Sequence, residues 1–183
     1  MTTTGTLHIV VAINPEACFG KSRSIGPMVV AELRAAGHEV VALTEPDYAH
    51  LVASVEAALV TTPDALVVVG GDGMVGLAAN ALAGSEIPLG IIPAGSGNDM
   101  ARGLGIPLGD PAAAVAVLLD AMRRAPRVVD AATVTTRGGI RTRFAGVLSA
   151  GFDAIVNERA NRMRWPRGRS RYNLALLLEL AVL

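Results

Sequence analysis

Two glycine-rich turns carry the clearest chemical content of this 183-residue chain. The first, Gly70-Gly71-Asp72-Gly73, interrupts the apolar run Leu66-Val67-Val68-Val69, and the second, Gly95-Ser96-Gly97-Asn98-Asp99, follows Gly90-Ile91-Ile92-Pro93. A glycine turn at a strand end lets backbone N–H groups approach phosphate oxygens with no side chain in the way. A helix that starts just beyond it adds the positive end of its dipole. Asp72 would repel a bare phosphate, so its place is beside a metal ion or at the proton of a substrate hydroxyl. Ser96 can donate to a phosphate, and Asn98 can cap a helix or bind ligand. One such turn reads equally well as a plain turn. Two in successive strand–turn–helix units point to a phosphate-bearing ligand, and if their strands are neighbours the turns open onto one crevice.

Gly71-Asp72-Gly73-Met74-Val75-Gly76 also satisfies G-x-G-x-x-G, the dinucleotide-binding fingerprint. That motif normally follows the first strand of a βαβ unit, with an acid about twenty residues further on. Here it follows the third apolar run, and the acid at that distance, Asp99, sits inside the second glycine turn. A nicotinamide-dependent oxidoreductase therefore ranks below phosphoryl transfer. No Walker A loop occurs. His8, His38 and His50 show no metal spacing and read as structural, and Cys18, the single cysteine, has no evident catalytic partner.

The elements that must position these turns alternate. Strands are expected over Leu7–Ile13, Glu39–Leu43, Ala65–Val69 and Leu89–Ile92. Helices are expected over Ser24–Ala36, Tyr48–Val60 (capped by Asp47), Met74–Ala83, Asn98–Leu104 and, from the cap pair Asp110-Pro111, through Met122. Fully apolar strands alternating with helices predict an α/β fold, a three-layer parallel sheet with helices on both faces. Ligands of such sheets sit at the C-terminal strand ends, where both glycine turns lie. After Pro126 the pattern changes. Val128–Thr136 and Ile140–Leu148 read as a hairpin across Arg137-Gly138-Gly139, followed by helices over Ala154–Met163 and Tyr172–Leu183. The expected organisation is an α/β nucleotide-binding domain over 1–125, then the start of a β-rich domain with a helical insert over 126–183.

Composition sets the outer limits. The chain is 51% hydrophobic and 3% aromatic, suited to a large aliphatic core. One cysteine forms no internal disulfide and fits a reducing compartment. No signal peptide and no spanning segment is read. A net charge of zero hides an asymmetry: residues 1–100 hold ten acids and three bases, residues 101–183 six acids and thirteen bases. Six of those arginines lie between Arg159 and Arg171, either a plain solvated face or a patch for phosphates or an anionic membrane, with Trp165 within it.

The two glycine turns, with Asn14-Pro15 after the first strand and Gly151-Phe152-Asp153-Ala154 further on, resemble the catalytic domain of diacylglycerol kinases and related lipid kinases, sphingosine kinases among them, with NAD kinases and phosphofructokinases as distant relatives. The resemblance implies transfer of the ATP γ-phosphoryl group to a lipid hydroxyl with Mg²⁺, in a cleft between an α/β domain and a β-sandwich. By motif position, Asn14 and Thr44 would border the nucleotide. Gly71, Asp72, Gly73 and Ser96 would line its phosphates, with Gly70, Gly95, Gly97 and Asn98 completing the two turns. Asp72 would activate the hydroxyl or organise the metal. Met74 stands where many relatives have Thr, and the opening turn through Lys21 is longer than usual. Relatives continue past Leu183 into a segment bearing a further acidic motif, and the family's acceptor pocket lies largely in that second domain.

The expectation is thus a cytoplasmic lipid kinase working at a membrane surface, with ATP, Mg²⁺ and a lipid, diacylglycerol first, as its partners and no nucleic acid. A nucleotide-binding module without turnover is the alternative. The segment from Tyr172 to Leu183 is too apolar to remain in water, so the chain alone is expected to self-associate and to lack turnover.

Overall fold

The computed structural model describes residues 5–14, 24–148, 150–166 and 169–182. The expected opening turn from Pro15 to Lys21, with Cys18, lies outside them. The contacts divide the chain into two compact units, Met1–Gly146 and Val147–Leu183.

The first unit opens with β1 (His8–Ile13), α1 (Ile25–Ala35), β2 (Glu39–Thr44), α2 (Tyr48–Leu59), β3 (Ala65–Gly70), α3 (Asp72–Ala81), β4 (Leu89–Pro93), α4 (Asp99–Gly103) and α5 (Pro111–Ala121). The four strands form one parallel sheet in the order β2-β1-β3-β4. This is the α/β parallel sheet expected from the alternation. β1 and β3 are inner strands with almost every residue buried, which is why their sequences run apolar without alternating. Successive side chains of each strand enter opposite layers. Ile9, Val11 and Ile13 pack with Val29 and Leu33 of α1 and Val115 of α5. Val10 and Ala12 pack with Leu51 and Val55 of α2 and Leu77 and Ala78 of α3.

The helix ends follow their local chemistry. Asp47 accepts from the His50 N–H at 3.0 Å, and Asp110 from the Ala113 N–H at 3.0 Å, so each caps its helix as the sequence indicates. Gly37, at φ 92°, stops α1 in the left-handed conformation that a glycine reaches without penalty. Two of the three histidines serve the same ends. His38 Nδ1 accepts from the Leu7 N–H, and His50 bonds Asp47. The pairing holds the His50 pKa above its ordinary value through the Asp47 side chain, and Asp47 below its own through the His50 backbone N–H.

The sheet order reverses direction between β1 and β3, because β1 leads outward to β2 while β3 leads the other way to β4. At such a switch point the turns leaving adjacent strands diverge and open a crevice. The register puts Thr44, Ile13, Val69 and Ile92 in one row across the C-terminal edge. Asn14 continues β1 by donating its N–H to Val69 O at 3.0 Å.

The remaining strands, β5 (Ala132–Thr135) and β6 (Arg141–Phe144), form an antiparallel hairpin, shorter than the sequence led us to expect. The hairpin belongs to the first compact unit. Asn80 of α3 holds it: its Nδ2 donates to Arg143 O at 2.8 Å, and its Oδ1 accepts from the Arg143 N–H at 2.7 Å. The side-chain amide thus pairs with one residue of β6 as a neighbouring strand would.

The second unit is a helical pair, α6 (Phe152–Arg162) and α7 (Arg169–Leu180), with no strand among its described residues. Val156, Ala160 and Ala175 are its buried centre, packed with Phe152, Met163 and Leu176. Leu177, Leu180 and Val182 are exposed by 63%, 52% and 72%.

Asn80→Ala should free β6 from α3. Both bonds are exposed, so water replaces them and the cost stays near about 1 kcal/mol. The sharper readout is hydrogen exchange at the Arg143 amide, which should accelerate while the amides of β1 and β3 stay protected. Unchanged exchange at Arg143 would mean that the hairpin is held by other contacts.

Candidate functional site

The first glycine turn is tighter than its sequence implies. Gly70 is still strand, Gly71 is the cap residue, and Asp72 already begins α3, where the sequence placed the helix start at Met74. Gly71 is extended, at φ −98° and ψ −162°, and its C=O accepts from the N–H groups of Met74 (2.9 Å) and Val75 (3.4 Å). Strand therefore becomes helix across a single residue. Asp72 and Gly73 occupy the first turn of a ten-residue helix, where N–H groups have no partner within the helix and the dipole is positive.

The second turn is folded on itself by Asn98. Its Oδ1 accepts from the Gly95 N–H at 3.0 Å, and its Nδ2 donates to Gly95 O at 2.8 Å. Asn98 is left-handed, at φ 56°, a conformation asparagine tolerates better than most residues. Ser96 is exposed on this turn. Arg102 closes the far side: its guanidinium donates to Gly97 O at 2.8 Å and pairs with Asp99. Asp99 is thereby engaged at a helix start rather than at a strand end, which leaves the dinucleotide fingerprint without its acid.

The two turns are locked together. Ala94 donates its N–H to Gly70 O at 2.8 Å, which extends the β3–β4 ladder into both turns. The Asp72 carboxylate reaches across and accepts from the Met100 N–H through Oδ1 at 3.1 Å. No glycine of either turn has a positive φ, so conformational freedom is not what these positions require. The requirement is closeness. A Cβ on Gly95 would lie 2.4 Å from Gly71 Cα, and one on Gly71 would lie 3.1 Å from Gly95 Cα. A Cβ on Gly70 would meet Met74 Cγ at 2.5 Å and Asn14 Cβ at 3.2 Å, and one on Gly97 would meet Asp72 Oδ2 at 2.8 Å. Gly73 differs: a Cβ there meets nothing within 4 Å.

The sequence-derived residues therefore gather at one edge. Asn14, Gly70, Gly71, Asp72, Gly73, Gly95, Ser96, Gly97 and Asn98 lie on the turns after β1, β3 and β4. Thr44 ends β2, two strands from β3. Arg102 and Tyr48 were missed. The Tyr48 hydroxyl donates to Gly73 O at 3.4 Å, and burial raises its pKa. The Asp99–Arg102 spacing signals the first; nothing local signals the second. Among the described residues no group of three or more His, Cys, Asp or Glu could hold a metal ion.

Gly95→Ala forces a methyl into the Gly71 backbone and should destabilise by about 1–3 kcal/mol, as overpacking does. Gly73→Ala enters open space within a helix and should be neutral or stabilising by up to about 1 kcal/mol. Urea unfolding of both variants checks the pair. Equal midpoints would refute the steric account.

Comparison with known proteins supplies the lineage. The model of the diacylglycerol kinase catalytic domain matches residues 8–134. A diacylglycerol kinase of Mycobacterium tuberculosis (strain H37Rv) is 41% identical over 176 residues, covering 94% of this chain and 55% of that protein. Sphingosine kinase 1 of Arabidopsis thaliana is 32% identical over 120 residues, 61% of this chain and 24% of that one. The crystal structure of a diacylglycerol kinase from Bacillus anthracis strain Sterne matches with a TM-score of 0.53 at 29% identity, over 64% of this chain and 43% of that chain. The chain thus spans about half the length of the curated diacylglycerol kinase it matches. With two glycine turns locked at the switch point of a parallel sheet, and with these relatives, the chain belongs to the diacylglycerol kinase catalytic domain family.

Proposed function

We propose that this chain forms the nucleotide-binding half of an ATP-dependent lipid kinase, with diacylglycerol as the first candidate acceptor. The observation that carries the reading is the contrast at Gly73. Gly70, Gly71, Gly95 and Gly97 lack side chains because neighbouring protein atoms fill the space. Gly73 faces open space beside the Asp72 carboxylate, in the first turn of α3. A phosphate fits there: the N–H groups of that turn donate to it, and no Cβ blocks its approach. Ser96 adds a hydroxyl donor from the other turn, and Asn14 and Thr44 border the remainder of the nucleotide.

Asp72 is held from one side by the Met100 N–H on Oδ1, which aims the carboxylate across the gap between the turns. In that position it takes the proton of an acceptor hydroxyl or binds a divalent cation. One carboxylate with phosphate oxygens and waters suits Mg²⁺, and a bound magnesium ion neutralises charge on the transferred group. The work of the chain itself is to position and to supply donors. The border after residue 125, with the hairpin and α6–α7 as the beginning of a second domain, is part of the same proposal, and the greater length of the relatives favours it.

A second reading keeps the nucleotide and drops turnover for residues 1–183 taken alone. The coverage of 55% of the curated relative favours it. Metal-dependent phosphorylation of diacylglycerol in mixed micelles separates the two.

Asp72→Asn retains an acceptor for the Met100 N–H, so the fold should persist. The loss of the charge should lower kcat in the full-length enzyme by about 10²–10⁴-fold, the usual worth of a positioned acid or base. Near-normal turnover would remove Asp72 from the mechanism.

For localisation, among the described residues no helix is long and apolar enough to cross a membrane. We propose peripheral contact with an anionic, cytoplasm-facing membrane through the segment from Arg159 to Arg171. Trp165 is 77% exposed there. The charge is partly engaged within the chain, because Arg159 pairs with Glu179 and Arg162 with Glu158. The exposed leucines of α7 support self-association of the chain alone. Co-sedimentation should favour anionic over neutral vesicles, by roughly 1 kcal/mol per basic residue that reaches the surface, and should fade with salt. Equal binding to both vesicle types would leave a solvated face.

A further inference from the structure

Arg102 of α4 holds the second glycine turn at the peptide best able to turn over. One guanidinium nitrogen donates to Gly97 O at 2.8 Å, and another pairs with Asp99. The Gly97–Asn98 peptide is planar and trans, so its C=O and N–H point to opposite sides. With Gly97 O drawn to Arg102, the Asn98 N–H is turned away from the guanidinium, and it has no partner among the described residues. A flip of this peptide would rotate ψ of Gly97 and φ of Asn98 by half a turn and leave both Cα atoms in place. Gly97 accepts almost any ψ. Asn98 would leave φ 56° for the negative region that residues with a side chain prefer. Backbone preference therefore favours the flip, and the bond from Arg102 opposes it. The flipped turn would show a carbonyl oxygen where it now shows a donor. Gly97 stands against the Asp72 carboxylate, since a Cβ on it would meet Asp72 Oδ2 at 2.8 Å. That oxygen would add to the negative charge already facing a phosphate.

We propose that Arg102 is a positioning residue for the nucleotide: it keeps the Gly97–Asn98 peptide in the orientation that offers the phosphates an N–H and not a carbonyl oxygen. The inference rests on the kinase reading above and deepens it. It gives the second turn a backbone donor beside the Ser96 hydroxyl and names the residue that maintains it. The pairing with Asp99 serves the same end. It aims the guanidinium, and it offsets a carboxylate whose Oδ2 comes within 3.7 Å of the same Cβ position on Gly97. A guanidinium suits the task because its rigid fork holds two acceptors at once.

Arg102→Met in the full-length enzyme tests this, because it keeps the stem of the side chain and removes its donors. The ATP Kd by calorimetry should rise about tenfold, the worth of one hydrogen bond to a charged group. The KM for diacylglycerol and the thermal midpoint should hold. Arg102→Lys retains a donor for Gly97 O and should recover part of the affinity. Asp99→Asn leaves the bond to Gly97 O in place and should cost less than Arg102→Met. In the wild type, hydrogen exchange at the Asn98 amide should slow when ATP binds. An unchanged ATP Kd in folded Arg102→Met overturns the proposal. An equal loss in Asp99→Asn also overturns it, since the ion pair would then be what matters. Should Arg102→Met fail to fold by circular dichroism, the Asn98 amide decides: exchange unaltered by saturating ATP overturns the proposal. If the wild type binds ATP and Arg102→Met binds it equally, only the role of Arg102 falls. If the wild type binds no ATP, the kinase reading falls and this proposal with it.

Discussion

The backbones of Gly71 and Gly95 touch, and the site follows from that contact. Neither position accepts a methyl group without moving the other turn. The contact is available because β3 and β4 pair in register up to Gly70 and Pro93 and the ladder runs one bond further, from Ala94 to Gly70. Two turns that would otherwise be separate excursions become one surface. Interiors pack densely enough that an extra methyl must be accommodated by displacement, so the contact fixes the spacing of Asp72 from the second turn.

Asp72 then belongs to both turns. It opens α3, where an acid is favoured by the helix dipole, and its Oδ1 receives an N–H from α4. The carboxylate is part of the scaffold as well as the group with chemical content. Asn98, by contrast, has both ends of its amide engaged by Gly95. Its contribution is to the shape of the second turn.

Much of the architecture was legible before any coordinates. The apolar runs of β1, β3 and β4, separated by helices, give a parallel sheet because only strands covered on both faces tolerate such runs. Asp47 and Asp110 announced their helices correctly, since capping is a local matter of a few residues. What escaped was non-local or too compact for pattern reading. The one-residue junction at Gly71 looks in sequence like a four-residue loop. Asn80 and Arg143 are 63 positions apart, and an asparagine inside a helix carries no sign that it will pair with a distant strand. At the site, the positions were legible as motifs, but the reason for their glycines was not. Sequence suggests room for phosphate at all of them, whereas protein atoms fill the space at Gly70, Gly71, Gly95 and Gly97 and leave it open at Gly73.

The Asn80 pairing has a mechanical side. Asp72 and Asn80 are eight residues apart on one helix, about 12 Å at 1.5 Å per residue. A helix is stiff along its axis, because stretching it opens every backbone hydrogen bond in the row. α3 is therefore a strut with the hairpin clamped near one end and the carboxylate at the other. A displacement of β6 along that axis arrives at Asp72 with little loss, whereas a sideways one is taken up where Leu77 and Ala78 rest on the sheet. Whatever presses on the hairpin has a direct line to the acid that opens this helix.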